Sequence, residues 1–94
     1  MPFFSVIIPS YNRAKILPRA IESILKQSFT DWELIIVDDG SIDATKQLVT
    51  SYDDSRIRYL FQENKGVCAA RNNGATVSRG EFLCFLDSDD YLTE

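Results

Sequence analysis

Four short apolar runs punctuate this chain, and the stretches between the first, second and last of them carry helical spacing or helix-breaking signals. That alternation restricts the fold more than any other feature. Phe4-Ser5-Val6-Ile7-Ile8 is rich in β-branched residues and closed by Pro9. It reads as a strand covered on both faces, as in parallel sheets. Ile16, Leu17, Ala20, Ile21, Ile24 and Leu25 then recur at helical intervals, with Arg19, Glu22, Ser23 and Lys26 on the opposite face. Pro18 fits the first turn of that helix, where its missing N–H leaves nothing unpaired.

The same plan repeats. Trp32-Glu33-Leu34-Ile35-Ile36-Val37 is a strand ending in Asp38-Asp39-Gly40-Ser41. Ser41 or Asp43 can cap a helix that runs to about Tyr52, with Leu48 and Val49 turned inward. Ile57-Arg58-Tyr59-Leu60-Phe61 alternates in character and is expected nearer an edge. A helix from Val67 to Ser78 carries the small residues Ala69, Ala70, Gly74 and Ala75, which allow close approach to a sheet, and Gly80 suits its C-terminal stop. Phe82-Leu83-Cys84-Phe85-Leu86 is wholly apolar and reads as a last, buried strand. Strand alternating with helix predicts one α/β unit: an open, mainly parallel, Rossmann-like sheet of about four strands with helices on both faces.

Composition removes whole classes of function. The 94 residues hold one core, and 45% hydrophobic with 26% charged residues is ordinary globular usage. A formal charge of −4 argues against binding nucleic acid, which rests on Lys and Arg neutralising phosphates. With no histidine in the sequence, histidine bases, the usual serine or cysteine triads and His-bound zinc are excluded. Cys68 and Cys84 are distant in sequence, sit among apolar or small neighbours, and read as reduced residues of a cytoplasmic protein. No apolar run approaches transmembrane length, and the start lacks the basic residues of a signal peptide.

In an open parallel sheet, ligands bind beyond the carboxyl ends of the strands. Three strand ends are distinctive: Pro9-Ser10-Tyr11-Asn12, Asp38-Asp39-Gly40-Ser41 and Asp87-Ser88-Asp89-Asp90. Brought to one rim, their five carboxylates would repel one another, and a divalent cation would relieve the repulsion. Asp87 and Asp89 are two residues apart, so in extended chain both address one Mg²⁺ or Mn²⁺, hard ions that prefer oxygen. Each pattern has a plain structural reading as well: Asp-x-Asp as loop acids, Asp38 to Ser41 as a turn with a helix cap, Tyr11 as a surface aromatic and Arg71 as a solvated helix face. Their joint placement at strand ends is what favours a site.

The order of these segments resembles the family 2 glycosyltransferases with the GT-A fold. The resemblance runs from Ser5 through Asn12, through Ser23 to Phe29 and Trp32 to Ser41, and on through Asn64-Lys65-Gly66 and Ala70 to Gly74 to the stretch Gly80 to Asp90. It implies a nucleotide diphosphate sugar, usually a UDP-sugar, as donor, and transfer with inversion to a glycan or other hydroxyl acceptor. By position, Pro9 and Tyr11 would line the base and ribose pocket with Tyr11 stacked on uracil, and Asp39 would accept the uracil N–H. Arg71 would assist at the nucleotide. Asp87-Ser88-Asp89 would be the Asp-x-Asp motif, Asp89 the direct metal ligand and Asp87 reaching the ribose or, through water, the metal.

The family's catalytic base and most of its acceptor site lie downstream of this motif. The chain is therefore expected to be a truncated, donor-binding portion, inactive or nearly so, whose full-length parent works in the cytoplasm or at the inner face of the membrane. Two other readings stand beside it. One is a non-catalytic remnant that self-associates through an open sheet edge. The other is a receiver-type signalling domain with a magnesium site. Against the latter, its acid pair would follow the first strand, which here ends in Pro9-Ser10-Tyr11-Asn12.

Overall fold

The structure, a computed structural model, describes residues 3–28 and 30–88. Its elements alternate throughout: β1 (Phe4–Ser10), α1 (Leu17–Leu25), β2 (Trp32–Asp39), α2 (Thr45–Thr50), β3 (Ile57–Gln62), α3 (Val67–Val77) and β4 (Phe82–Phe85). The four strands form one sheet in the order β3-β2-β1-β4, and every pairing is parallel. The expected open α/β sheet is what the chain forms.

The chain builds outward from β1 through β2 to β3, then crosses back to place β4 on the other side of β1. That reversal opens a crevice at the carboxyl ends of β1 and β4, where sheets of this kind take their ligands.

The two central strands explain the apolar runs. Because side chains alternate across a strand, each strand must satisfy two layers at once. Val6, Ile8, Leu34 and Ile36 pack with Leu17, Ala20, Ile21 and Ile24 of α1 and Val49 of α2. Ile7, Ile35 and Val37 pack with Ala70 of α3 on the other face. The small residues of α3 have the expected use. A Cβ added to Gly74 would stand 2.5 Å from Ile7 Cγ2, so the helix sits too near the sheet for any larger residue there.

Three details differ from the expectation. The second helix ends at Thr50, short of Tyr52; of its two candidate caps it is Asp43 and not Ser41 that bonds to its start, the carboxylate accepting the Thr45 N–H at 3.1 Å. Gly80 does not stop α3, which ends on Ser78 in an extended conformation. A Cβ at Gly80 would lie 2.6 Å from Ser5 Oγ, so this glycine lets the chain pass close beside β1. Finally, β4 is not buried. Phe82, Leu83 and Phe85 are 53%, 45% and 48% exposed, because β4 is an edge among the described strands and α1 and α3 pack mainly on β1 and β2.

A polar knot ties the opposite end of the sheet. The buried Glu33 carboxylate accepts hydrogen bonds from Ser5 Oγ at 2.6 Å, Arg58 Nη1 at 2.9 Å and the Arg79 N–H at 2.5 Å. Burial would raise the Glu33 carboxyl, but these donors together hold it below its ordinary value. The knot joins the starts of β1, β2 and β3 to the segment leading into β4, far from the carboxyl-end rim.

The close approach of α3 is testable. Gly74→Ala should destabilise the chain by about 1–3 kcal/mol despite its better helix propensity, since the methyl group meets a packed Ile7. Urea unfolding measures this; a stabilised variant would show that α3 can move off the sheet.

Candidate functional site

At the carboxyl-end crevice lies a cleft of about 380 Å³, within the roughly 300–1,000 Å³ range of small-molecule sites. Pro9, Ser10 and Tyr11 from the end of β1 form one wall, with Arg13 beyond them. Asp39 at the end of β2 forms the floor between, and Asn64 and Val67 come from the segment leading into α3. Asp87 and Ser88, just past β4, close the far side. Of the residues selected from the sequence, Pro9, Tyr11, Asp39, Asp87 and Ser88 therefore meet in one cleft. Arg71 does not line it but reaches Asp87, with Nη2 at 3.3 Å from Oδ1. Asp89 and Asp90 lie outside the described residues.

Asp38 and Asp39 separate completely. Adjacent positions on a strand face opposite ways, and the two carboxylates serve opposite sides of the sheet. Asp38, 1% exposed, accepts the Tyr59 hydroxyl at 2.5 Å and the Ser41 N–H at 2.9 Å, and borders a second hollow beside Lys46 and Phe61. Burial and the Asp38 carboxylate both push the Tyr59 hydroxyl well above its ordinary pKa. The expected crowd of five carboxylates on one rim is thus not formed: Asp38 is withdrawn to the other face. Arg13 brings positive charge to the cleft itself, so its described lining is of mixed sign.

Asp39 is 6% exposed and organises the cleft floor. Its Oδ1 accepts from Gln62 Nε2 and from the Lys65 N–H, each at 2.7 Å, and its Oδ2 from the Gly66 N–H at 3.0 Å. Behind it, the Asn73 amide donates to Gln62 Oε1, which fixes the Gln62 amide with its NH₂ toward Asp39. Burial alone would raise the Asp39 carboxyl, but the bonds from Lys65, Gln62 and Gly66 outweigh it and hold the pKa below the ordinary value. A carboxylate has about four lone-pair positions, and three are taken here, leaving one on Oδ2.

The remaining groups are more open. Tyr11 is 48% exposed, leaving part of its ring open to a flat ligand. The Arg71–Asp87 pair is largely exposed on both sides, and such pairs are worth about 1 kcal/mol or less, so a ligand can open it. Ser10 closes β1, between Pro9 and Tyr11. Its Oγ is the one buried side-chain polar atom lacking a hydrogen-bond partner among the described residues. Arg13, Asn64 and Val67 also line the cleft without having been assigned a part. For Arg13 the available signal was its position just beyond the carboxyl end of a parallel strand; Val67 carried none, since only the fold brings α3 to β1.

Oxygen donors on the rim suit a hard cation held chiefly by a substrate's phosphates. Asp87 is the one described carboxylate that is exposed to the cleft and not already saturated by donors. Magnesium-type ions commonly take only one or two carboxylates with water and phosphate, so this donor set fits such an ion. Among the described residues, no group of three or more His, Cys, Asp or Glu could hold a metal by itself.

Residues 5–94 match the family model for glycosyl transferase family 2. The chain belongs to that family. It is 46% identical to the Campylobacter jejuni GalNAc(5)-diNAcBac-PP-undecaprenol beta-1,3-glucosyltransferase, over 98% of this chain and 31% of that protein. It is 44% identical to the glycosyltransferase GlyG of Streptococcus pneumoniae, over 96% of this chain and again 31% of the relative. The chain thus spans about a third of the length of these curated relatives. Among solved structures, S. aureus TarS 1-349 in complex with UDP-GlcNAc superposes with a TM-score of 0.89 at 37% identity, covering 95% of this chain and 27% of that one. The Pyrobaculum calidifontis mannosyltransferase PcManGT, in complex with GDP-Man and Mn²⁺, gives a TM-score of 0.85 at 25% identity, covering 96% and 28%. The GT-A architecture expected from the sequence is the fold that these neighbours share.

The sign of the Asp39 effect fixes its pH dependence. A carboxyl whose pKa is lower folded than unfolded adds stability above its unfolded value, and that stability disappears as pH falls through the folded one. Wild-type stability should therefore hold down to about pH 5 and decline below about pH 4, with Asp39 among the contributors. In Asp39→Asn, urea unfolding at pH 7 and at pH 3 should differ by less than in the wild type; an equal difference would remove Asp39 from the account.

Proposed function

We propose that this chain forms the donor-binding part of a glycosyltransferase that transfers a sugar from a nucleotide diphosphate sugar, a UDP-sugar, to a glycan or other hydroxyl acceptor. The observation that carries this reading is the single cleft uniting Tyr11, Asp39 and Asp87 at the switch in strand order. Family membership and the UDP-GlcNAc bound by TarS support it.

Each wall has a matching task. Tyr11 offers an aromatic face to the base, a contact worth about 1–3 kcal/mol. The open lone pair on Asp39 Oδ2 accepts the ring N–H of uracil, and Pro9 backs the nucleoside. Arg13 and Arg71 offer positive charge for the diphosphate, with Arg71 exchanging Asp87 for a phosphate oxygen. Asp87, with Asp89 by resemblance, would hold Mn²⁺ or Mg²⁺, and Ser88 stands beside them. When bound, such an ion stabilises the charge that develops on the departing diphosphate. Inversion at the anomeric carbon belongs to this reading, with the acceptor site and its base supplied outside residues 1–94.

Two further parts of the reading have their own support. The unpaired Cys68 and Cys84 favour a cytoplasmic setting. The exposed strip of Phe82, Leu83 and Phe85 favours self-association of the chain by itself, which sedimentation should show as a concentration-dependent shift that a charged residue at Leu83 removes.

The donor reading is tested by titration calorimetry with UDP. Binding should require Mn²⁺ or Mg²⁺, weaken about tenfold in Tyr11→Ala, and lose its metal dependence in Asp87→Ala or Asp89→Ala. UDP binding of equal strength without metal and in Asp89→Ala would sink the proposed metal role.

A further inference from the structure

The Tyr11 ring is half-covered and has no side-chain hydrogen bond among the described residues, so its place in the cleft depends chiefly on how its backbone is held. On one side that backbone belongs to β1, in register with β2 through Ser10 opposite Asp38. On the other side it runs into Asn12, the one non-glycine residue with positive φ among the described residues, at 51°. Asparagine tolerates this left-handed conformation better than most residues, because its short polar side chain can bond locally.

Here the side chain bonds across to a different loop. The Asn12 N–H donates to Ser41 Oγ at 2.8 Å, while the Ile42 N–H donates back to Asn12 Oδ1 at 2.9 Å. One step further on, the Ala14 N–H donates to Asp43 Oδ2 at 3.1 Å. Ser41 is itself held by the buried Asp38, which also takes the Tyr59 hydroxyl. A continuous set of bonds therefore runs from the core, through the β2–α2 loop, to the residue that follows Tyr11.

We propose that Asn12 is a positioning residue, whose two bonds to the β2–α2 loop latch the β1–α1 loop and hold Tyr11 as a fixed wall of the nucleoside cleft. This rests on the donor reading of the site above. The latch is exposed, so water competes for its bonds and their loss costs the fold little. Their effect falls on the order of Tyr11 before binding, which sets how much freedom a ligand must remove.

Asn12→Gly is the decisive variant, because it keeps the left-handed backbone and deletes the acceptor. In the ¹⁵N-labelled chain without ligand, the order parameter of the Tyr11 amide should fall from about 0.85 to below about 0.6. The melting temperature should stay near wild type, and UDP binding with Mn²⁺ should weaken about fivefold or more. Asn12→Asp, which retains an acceptor and tolerates the same φ, should restore order at Tyr11 and affinity to within about twofold. An unchanged order parameter in Asn12→Gly overturns the latch, and so does lost order with unchanged UDP affinity. Absence of UDP binding by the wild type would instead refute the donor reading, and the order parameter of the unliganded chain would still decide the latch.

Discussion

Two consecutive carboxylates at the end of β2 hold the carboxyl-end rim together. Because neighbouring strand residues face opposite sides, Asp38 reaches one side of the sheet and Asp39 the other. Asp38 gathers Tyr59 from β3 and the turn at Ser41; Asp39 gathers Gln62 from the end of β3 and Lys65 and Gly66 from the loop leading into α3. Buried acceptors of this kind must be satisfied, since an unpaired one costs about 1–3 kcal/mol. The loops that satisfy them are the loops that build the cleft. Shape at the rim is therefore a consequence of satisfying two buried acids.

This arrangement divides labour between the pair. Asp38 is consumed by structure, and through Ser41 and Asn12 its influence extends to the backbone that carries Tyr11. Asp39 is also heavily engaged, but it lines the cleft and keeps one acceptor position. The groups at the far side, Arg71 and Asp87, are bound among the described residues only to each other, through an exposed contact. The rim thus has a stiff side, suited to reading a flat base, and a loose side, suited to charges that rearrange when phosphate and cation arrive.

Much of this was legible in the residues, for identifiable reasons. The β-branched runs Val6 to Ile8 and Leu34 to Val37 announce strands buried on both faces, and such strands exist only with helices on each side. Gly74 within a run of small residues announced close helix packing, and a Cβ added there would indeed lie only 2.5 Å from Ile7 Cγ2. The run at Phe82 misled, because apolar composition reports what a strand can bury and not which neighbours cover it. Gly80 misled similarly: a glycine after a helix suggests a stop, whereas this one makes room beside Ser5.

Sequence alone determined the order of strands and helices, the parallel α/β class, the family, and the placing of Pro9, Tyr11, Asp39, Asp87 and Ser88 at carboxyl ends of strands. These follow from local periodicity and from rules that hold for any open parallel sheet. Only the tertiary structure decided which acid faces the cleft, that Arg13 shares it, that Arg71 reaches Asp87, and that Asn12 is tied to a loop 30 residues away. Such facts depend on the register between strands and on which loop folds over which. A single residue's shift in that register would exchange the faces served by Asp38 and Asp39.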